Sequence, residues 1–314
     1  MNAVVPNRSP LSAKELNHVV TFMSPLDQIS FSLVSKATKS IIVSRKLFPG
    51  ALHLEVQDTF KIGMYTTDGH INLRLSQKNE NWNGADPVKL IAADIVEVEH
   101  ETKTYYWRKE GFGIKDWIYH IKEINHSKWI NQIMFYEKSE RIETDSVLKT
   151  IGVLTINHLL VSSGCSERYR QLIYQKVHTK NLRIFRGTFQ GNEELKNHFI
   201  QNYNHVGTVT SSPVPITLND LLILNCQEFH TEGIPMKTIN RFLKIWRKGC
   251  KSRLKKLSIG FPRTVALDEN VILKGIEHVK MGNKRFKIYG ANGIVATVSI
   301  HPQQSRFRFA VSKI

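Results

Sequence analysis

Met23-Ser24-Pro25-Leu26-Asp27-Gln28-Ile29-Ser30-Phe31-Ser32-Leu33-Val34-Ser35-Lys36 decides how this 314-residue chain begins. Ser24 is a favoured helix N-cap, and Pro25 suits the first helical position, where its missing N–H would have no partner. Leu26, Ile29 and Leu33, with Phe31 and Val34 offset from them, put apolar side chains on more than one side of the helix that follows. Upstream, Ser12 and Glu15 fit a capping box, and Leu11 and Leu16 fit its hydrophobic staple. Leu16, Val19, Val20 and Met23 then recur at helical spacing as one stripe. A helical hairpin of about 40 residues is smaller than a core that closes unaided, so part of this apolar surface is expected to meet another one. The plain alternative is a hairpin packed on its own domain.

Composition narrows the class. Length favours two units, or a small module and a larger one, and 41% hydrophobic with 23% charged residues is ordinary for a globular chain. No apolar run approaches the ~20 residues of a spanning helix, and the start lacks a basic-then-apolar leader, so an intracellular, cytoplasmic or nuclear protein without a membrane partner is expected. Three cysteines, Cys165, Cys226 and Cys250, are too few and too widely spaced for a disulfide framework or a zinc site. The formal net charge is +17, and ten Lys or Arg residues without a carboxylate lie between Gly233 and Leu267. Lys237, Arg241, Lys244, Lys248, Lys251 and Lys256 among them could hold phosphate oxygens or an acidic protein. Ile239, Phe242, Leu243 and Trp246 form an apolar helical stripe in the same segment, so those cations also suit a solvated helix face.

Beyond Gly50 the pattern turns extended. Stretches 51–56, 60–65 and 70–75 alternate, Asp68-Gly69 supplies hairpin turn chemistry, 79–87 reads as a loop, and 102–107 as a strand. Ile114, Trp117, Ile118 and Ile121 mark an amphipathic helix. From residue 130 a short L-x-x-L-x-L pattern recurs at Ile130, Ile156, Leu218 and Leu254, with a partial copy at Leu182-x-Ile184. Its middle residues, Ile133, Leu159, Leu182, Leu221 and Leu257, are 26, 23, 39 and 36 residues apart. Helices fill the gaps, one capped at Ser166 and one near Asn192 that carries Leu195, Phe199 and Tyr203. Asn225-Cys226 is read as following the third full strand, where a leucine-rich repeat bonds its turn. Strand–helix alternation of this kind predicts a leucine-rich-repeat-like α/β region, with an irregular α/β sheet as the alternative.

Glu15-Leu16, Val19-Val20, Phe22-Met23, Pro25-Leu26-Asp27, Ile29 and Phe31 to Lys36 together resemble an F-box, in particular the divergent F-box of nematode F-box proteins. The usual opening Leu-Pro is replaced by Pro10-Leu11. Residues 216–225, 239–249 and 254–259, with Asp116-Trp117 and the closing hairpin 285–298 turning at Asn292-Gly293, look similar to the type 2 F-box-associated region of the same proteins. The resemblance implies an F-box at 8–48 and an F-box-associated region at 51–314, with its signature at about 216–260 and β-hairpins at its start and end. It also implies docking on a Skp-family adaptor, and through it a cullin, in an SCF-type ubiquitin ligase. The adaptor-binding set would be Leu16, Val19, Val20, Met23, Pro25, Leu26, Ile29, Phe31, Leu33 and Val34, and the larger region would capture a target protein.

The residues suggest no reaction centre. Gly111-Phe112-Gly113 lacks a dinucleotide loop's third glycine, and no Gly-rich loop precedes Lys-Ser or Lys-Thr. Glu97, Glu99 and Glu101 read as a solvated strand face, and His100 has no histidine four residues on. A non-catalytic adaptor without cofactor or metal is therefore expected. The rival is a basic nucleic-acid-binding protein using the 237–256 cluster.

Overall fold

A computed structural model describes residues 12–45, 50–76, 95–184, 192–208, 215–249 and 253–312. Leu11, Lys251, Cys250 and the 79–87 loop lie outside them. The chain divides into two compact units, Met1–Gln132 with Ser139–Thr155, and Ile133–Lys138 with Ile156–Ile314. Compactness thus divides the chain well beyond residue 50, and the N-terminal helices share a unit with the strands that follow.

The first unit opens with α1 (Ala13–Val20), α2 (Pro25–Ser32) and α3 (Lys36–Arg45), a third helix where sequence suggested a two-helix hairpin. Five strands follow, β1 (Leu52–Val56), β2 (Phe60–Thr66), β3 (Gly69–Ser76), β4 (Ile95–His100) and β5 (Lys103–Trp107), each antiparallel to the next. Gly69 takes φ 125°, a region open to glycine alone, where the β2–β3 turn closes. His53 lies opposite Gly63, and a side chain at Gly63 would collide with the His53 ring. Next come α4 (Ile114–Ile124), β6 (Ile130–Phe135), where the chain passes between units, and α5 (Thr144–Ile151). Ile114, Trp117, Ile118, Ile121 and Ile124 are buried along one face of α4, as their spacing predicts.

The second unit alternates β7 (Ile156–Val161), α6 (Glu167–Lys176), β8 (Thr179–Ile184), α7 (Asn192–Phe199), β9 (His205–Thr208), α8 (Leu218–Ile223), β10 (Glu228–Glu232), α9 (Met236–Arg247) and β11 (Lys256–Gly260). Strands β7 to β11 are parallel and adjacent in chain order. A short α10 (Glu269–Ile272) leads to β12 (His278–Gly282), β13 (Arg285–Tyr289), β14 (Val295–His301) and β15 (Arg306–Ser312). These four continue the sheet antiparallel, in the order β11-β15-β14-β13-β12. The class is mixed α/β, with helices first and antiparallel hairpins near both ends.

Three expectations for this region are corrected. Leu218-x-x-Leu221-x-Ile223 is helix α8, because the same i, i+3 spacing also fits a helical turn and Thr217 caps it. Thr217 Oγ1 accepts from the Asp220 N–H at 3.3 Å, and Asp220 Oδ2 accepts from the Thr217 N–H at 2.8 Å. Asn225 consequently precedes its strand, donating to Ile200 O at 3.0 Å and Asn202 Oδ1 at 2.9 Å. Strands β9 and β10, with inward Val206 and Phe229, carry too few apolar residues for a motif to reveal. Tyr203 also falls beyond α7, which ends at Phe199.

With those strands in place the spacing becomes regular. Leu159, Leu182, Val206, Phe229 and Leu257 occupy one register row and stand 23, 24, 23 and 28 residues apart. The row continues through Phe309, Val298 and Phe286, all buried. Successive crossovers of one hand place the helices on one side of this sheet. There Ile239, Phe242, Leu243 and Trp246 of α9 enter the same core as the row. Phe242 and Trp246 meet the Phe309 ring edge-on at 5.7 and 5.1 Å. Replacing Phe242 by Ala is expected to cost about 3–5 kcal/mol by opening a cavity at this junction, read as an earlier urea midpoint. A midpoint unchanged from wild type would contradict that packing.

Candidate functional site

The N-terminal helices are held by complementary caps. Ser12 Oγ accepts from Glu15 N at 3.3 Å while Glu15 Oε2 accepts from Ser12 N at 2.7 Å, and Ser24 Oγ accepts from Asp27 N at 3.2 Å. Gln28 Nε2 donates to Met23 O at 2.8 Å, satisfying a carbonyl of the turn between α1 and α2. Of the ten residues expected to bind an adaptor, Val20, Pro25, Leu26 and Ile29 are buried. Leu16, Met23, Phe31 and Leu33 are half-buried. Val19 is 42% exposed and Val34 69%. Phe22, outside that set, is the most exposed at 79%, with its ring edge-on to His18 at 5.2 Å. It stands three residues after Val19, a helical neighbour that the stripe through Val20 and Met23 passed over.

The inner side of these helices is fastened to α4. Ser32 Oγ donates to Ile29 O at 2.6 Å, so the His120 ring, 2.8 Å away, donates from Nε2 to Ser32. Burial, reinforced by Lys39, pushes His120 down to about 4 and keeps it neutral. Lys39 Nζ meets Glu123 at 2.6 Å, Lys109 Nζ donates to Leu33 O at 2.5 Å, and His126 Nε2 approaches Val43 O at 2.6 Å. The exposed ion pair contributes little by itself, but the buried groups fix orientation.

Elsewhere, among the described residues, the two cysteine thiols are buried. Burial pushes the Cys226 thiol up to about 12, and Cys165 Sγ donates to Tyr136 O at 3.1 Å. A thiol held protonated is a poor nucleophile. Among the described residues no group of three His, Cys, Asp or Glu could hold a metal, and no helix is long and apolar enough to cross a membrane. Glu97 lies 3.9 Å from Arg74 across the sheet, and Glu99 is half-buried beside Glu101 at the turn. On α9, Lys237, Arg241, Lys244 and Lys248 are exposed, opposite the buried stripe. Arg247 donates to Tyr289 O at 3.1 Å, and with Lys244 and Lys248 lines an open cleft of about 560 Å³. Lys256 pairs with Glu228 at 2.6 Å.

Comparison with known proteins places families on this geometry. The F-box domain model matches residues 11–49, the stretch containing α1 to α3. The model described as F-box associated matches residues 194–259, from α7 to β11. That second match begins before the expected 216 and takes in β9. The chain therefore carries an F-box followed by an F-box-associated domain. It is 22% identical over 304 residues to the F-box associated domain-containing protein sdz-33 of Caenorhabditis elegans, covering 91% of each chain. No solved structure matches.

Below pH 6.5 the unfolded chain takes up a proton on His120 that the folded chain refuses until about 4. Stability therefore falls as pH drops through that window, with His53, His198 and His205, each also near 4, acting in the same direction. Melting temperature should decline across this range in wild type and less steeply in His120→Gln. Parallel profiles for the two proteins would contradict the placement of His120.

Proposed function

We propose that this protein is the target-recognition subunit of an SCF-type ubiquitin ligase, docking through its F-box on a Skp-family adaptor and thereby on a cullin. The observation that carries the reading is the division within the F-box. Val20, Leu26 and Ile29 complete its core, while Val19, Phe22 and Val34 stay exposed. Large apolar groups left outward on a well-packed helical module suit an interface centre, where a few aromatic and aliphatic anchors supply most of the affinity. In this reading Leu16, Val19, Met23, Phe31, Leu33 and Val34, joined by Phe22, touch the adaptor. Val20, Pro25, Leu26 and Ile29 hold the helices that present them.

Residues 8–48 would then dock, and 51–314 would select a target inside the cell. In this role the chain needs no acid–base group of its own. It raises the effective concentration of a bound target near a charged conjugating enzyme. The second unit serves as a leucine-rich-repeat-like platform, a reading supported by its parallel strands in chain order and repeat spacing. The rival, nucleic-acid binding through α9, draws on the exposed Lys237, Arg241, Lys244 and Lys248.

Pull-down of the full chain with a recombinant Skp-family adaptor separates the two. The triple variant Val19→Asp, Phe22→Asp, Val34→Asp should weaken adaptor binding by more than about tenfold while circular dichroism stays native. Adaptor binding equal to wild type would refute the docking surface. RNA binding that weakens steeply as salt rises and is lost on reversing Lys237 and Arg241 would favour the rival.

A further inference from the structure

One side of the second unit's sheet is occupied by helices, and the other side is cationic. A register row on that second side runs from Arg183 on β8 through His230 on β10 and Arg308 on β15 to Arg285 on β13. Arg183, His230, Arg308 and Arg285 are all exposed. The adjoining row holds His205 and Lys256. The His205 ring lies 6.1 Å from that of His158 and 6.2 Å from that of His230, so the imidazoles crowd one stretch of the face. Burial lowers His230, with Arg306 and Arg308 adding to the effect. The local field is therefore positive.

Three polar atoms on this side are shielded from solvent without a hydrogen-bond partner: His205 Nδ1, Ser258 Oγ and Arg306 Nε. They sit on β9, β11 and β15 and face outward between inward Val206, Leu257, Ile259 and Phe307. Shielded atoms of this kind also occur elsewhere, at Trp117 Nε1 and Gln28 Oε1, so what distinguishes this face is its row of exposed guanidinium and imidazole groups.

We propose that this face is where the protein takes its target, and that it binds an acidic, extended protein segment. The proposal rests on the ligase-subunit reading and adds the chemistry of the partner. Guanidinium groups donate to carboxylates in a fork, and Arg183, Arg308 and Arg285 stand at intervals along that row. At about 4.8 Å per strand the row from β8 to β13 spans roughly 29 Å, the length of about nine extended residues. A protein segment fits better than nucleic acid because Glu228 and Glu232 also stand on β10 facing this side. A nucleic acid carries a charge on every residue and would meet them, whereas an acidic segment with neutral residues between its carboxylates, as in a Glu-Ser repeat, can set a neutral residue there.

The test uses the full chain and a fluorescein-labelled Glu-Ser repeat peptide, read by fluorescence anisotropy. Arg183→Glu with Arg308→Glu should weaken the peptide by more than about tenfold, and the Gln pair less, in the same direction. Lys237→Glu with Arg241→Glu on α9 removes equal charge and should change affinity less than about twofold. Equal loss from the two reversals, or no loss from the sheet pair, would overturn the proposal. So would an oligouridylate binding the sheet face more tightly than the peptide. Pull-down on the Skp-family adaptor is run in parallel: the sheet variants should retain the adaptor, and the Val19, Phe22, Val34 variant should retain the peptide. Failure of the face is thereby distinguished from failure of the ligase reading.

Discussion

The contact on which the N-terminal module depends is the buried one between α2 and α4, where His120 donates to Ser32 and Ser32 to Ile29 O. Because the imidazole is buried and held neutral, its hydrogen bond is costly to leave unmade and fixes which side of α2 faces inward. Ile29 follows that side into the core. Val34 just beyond α2, and Val19 and Phe22 around the end of α1, lie outside that core and stay exposed.

The second unit uses the same division on a larger scale. A sheet residue points to one face or the other, so a row such as Leu182, Val206, Phe229 and Leu257 commits alternate positions to the helix side. The positions between them, Arg183, His230 and Arg308, are exposed and polar or basic. Parallel strands ordinarily need cover on both faces. Here polar and basic residues make one face compatible with water, which is what lets a one-sided sheet stand.

Much of this was legible in the sequence because local chemistry decided it. Ser12 with Glu15, Ser24 with Pro25, and Ser166 before α6 marked helix starts that the caps reproduce. The strands at Ile156 and Leu182 followed from the recurring apolar pattern, the first hairpins from alternation and Asp68-Gly69, and the closing hairpin from the family resemblance. The reading failed at Leu218, where an i, i+3 pattern fits strand motif and helix alike and only the Thr217–Asp220 cap tips the balance. Strand β10 was invisible because Glu228-Phe229-His230-Thr231-Glu232 has a single large apolar residue. Its identity as a strand comes from pairing with β9 and β11, a tertiary effect. Which apolar residues of the F-box face out was likewise not legible, since Ile29 and Phe22 differ in partner and not in chemical type.

Hydrogen–deuterium exchange of the full chain with and without a Skp-family adaptor tests the central claim most directly. The account predicts added protection in the segments around Phe22 and Val34, with β10 and β11 unchanged. Protection confined to β10 and β11, or none around Phe22 and Val34, would contradict it.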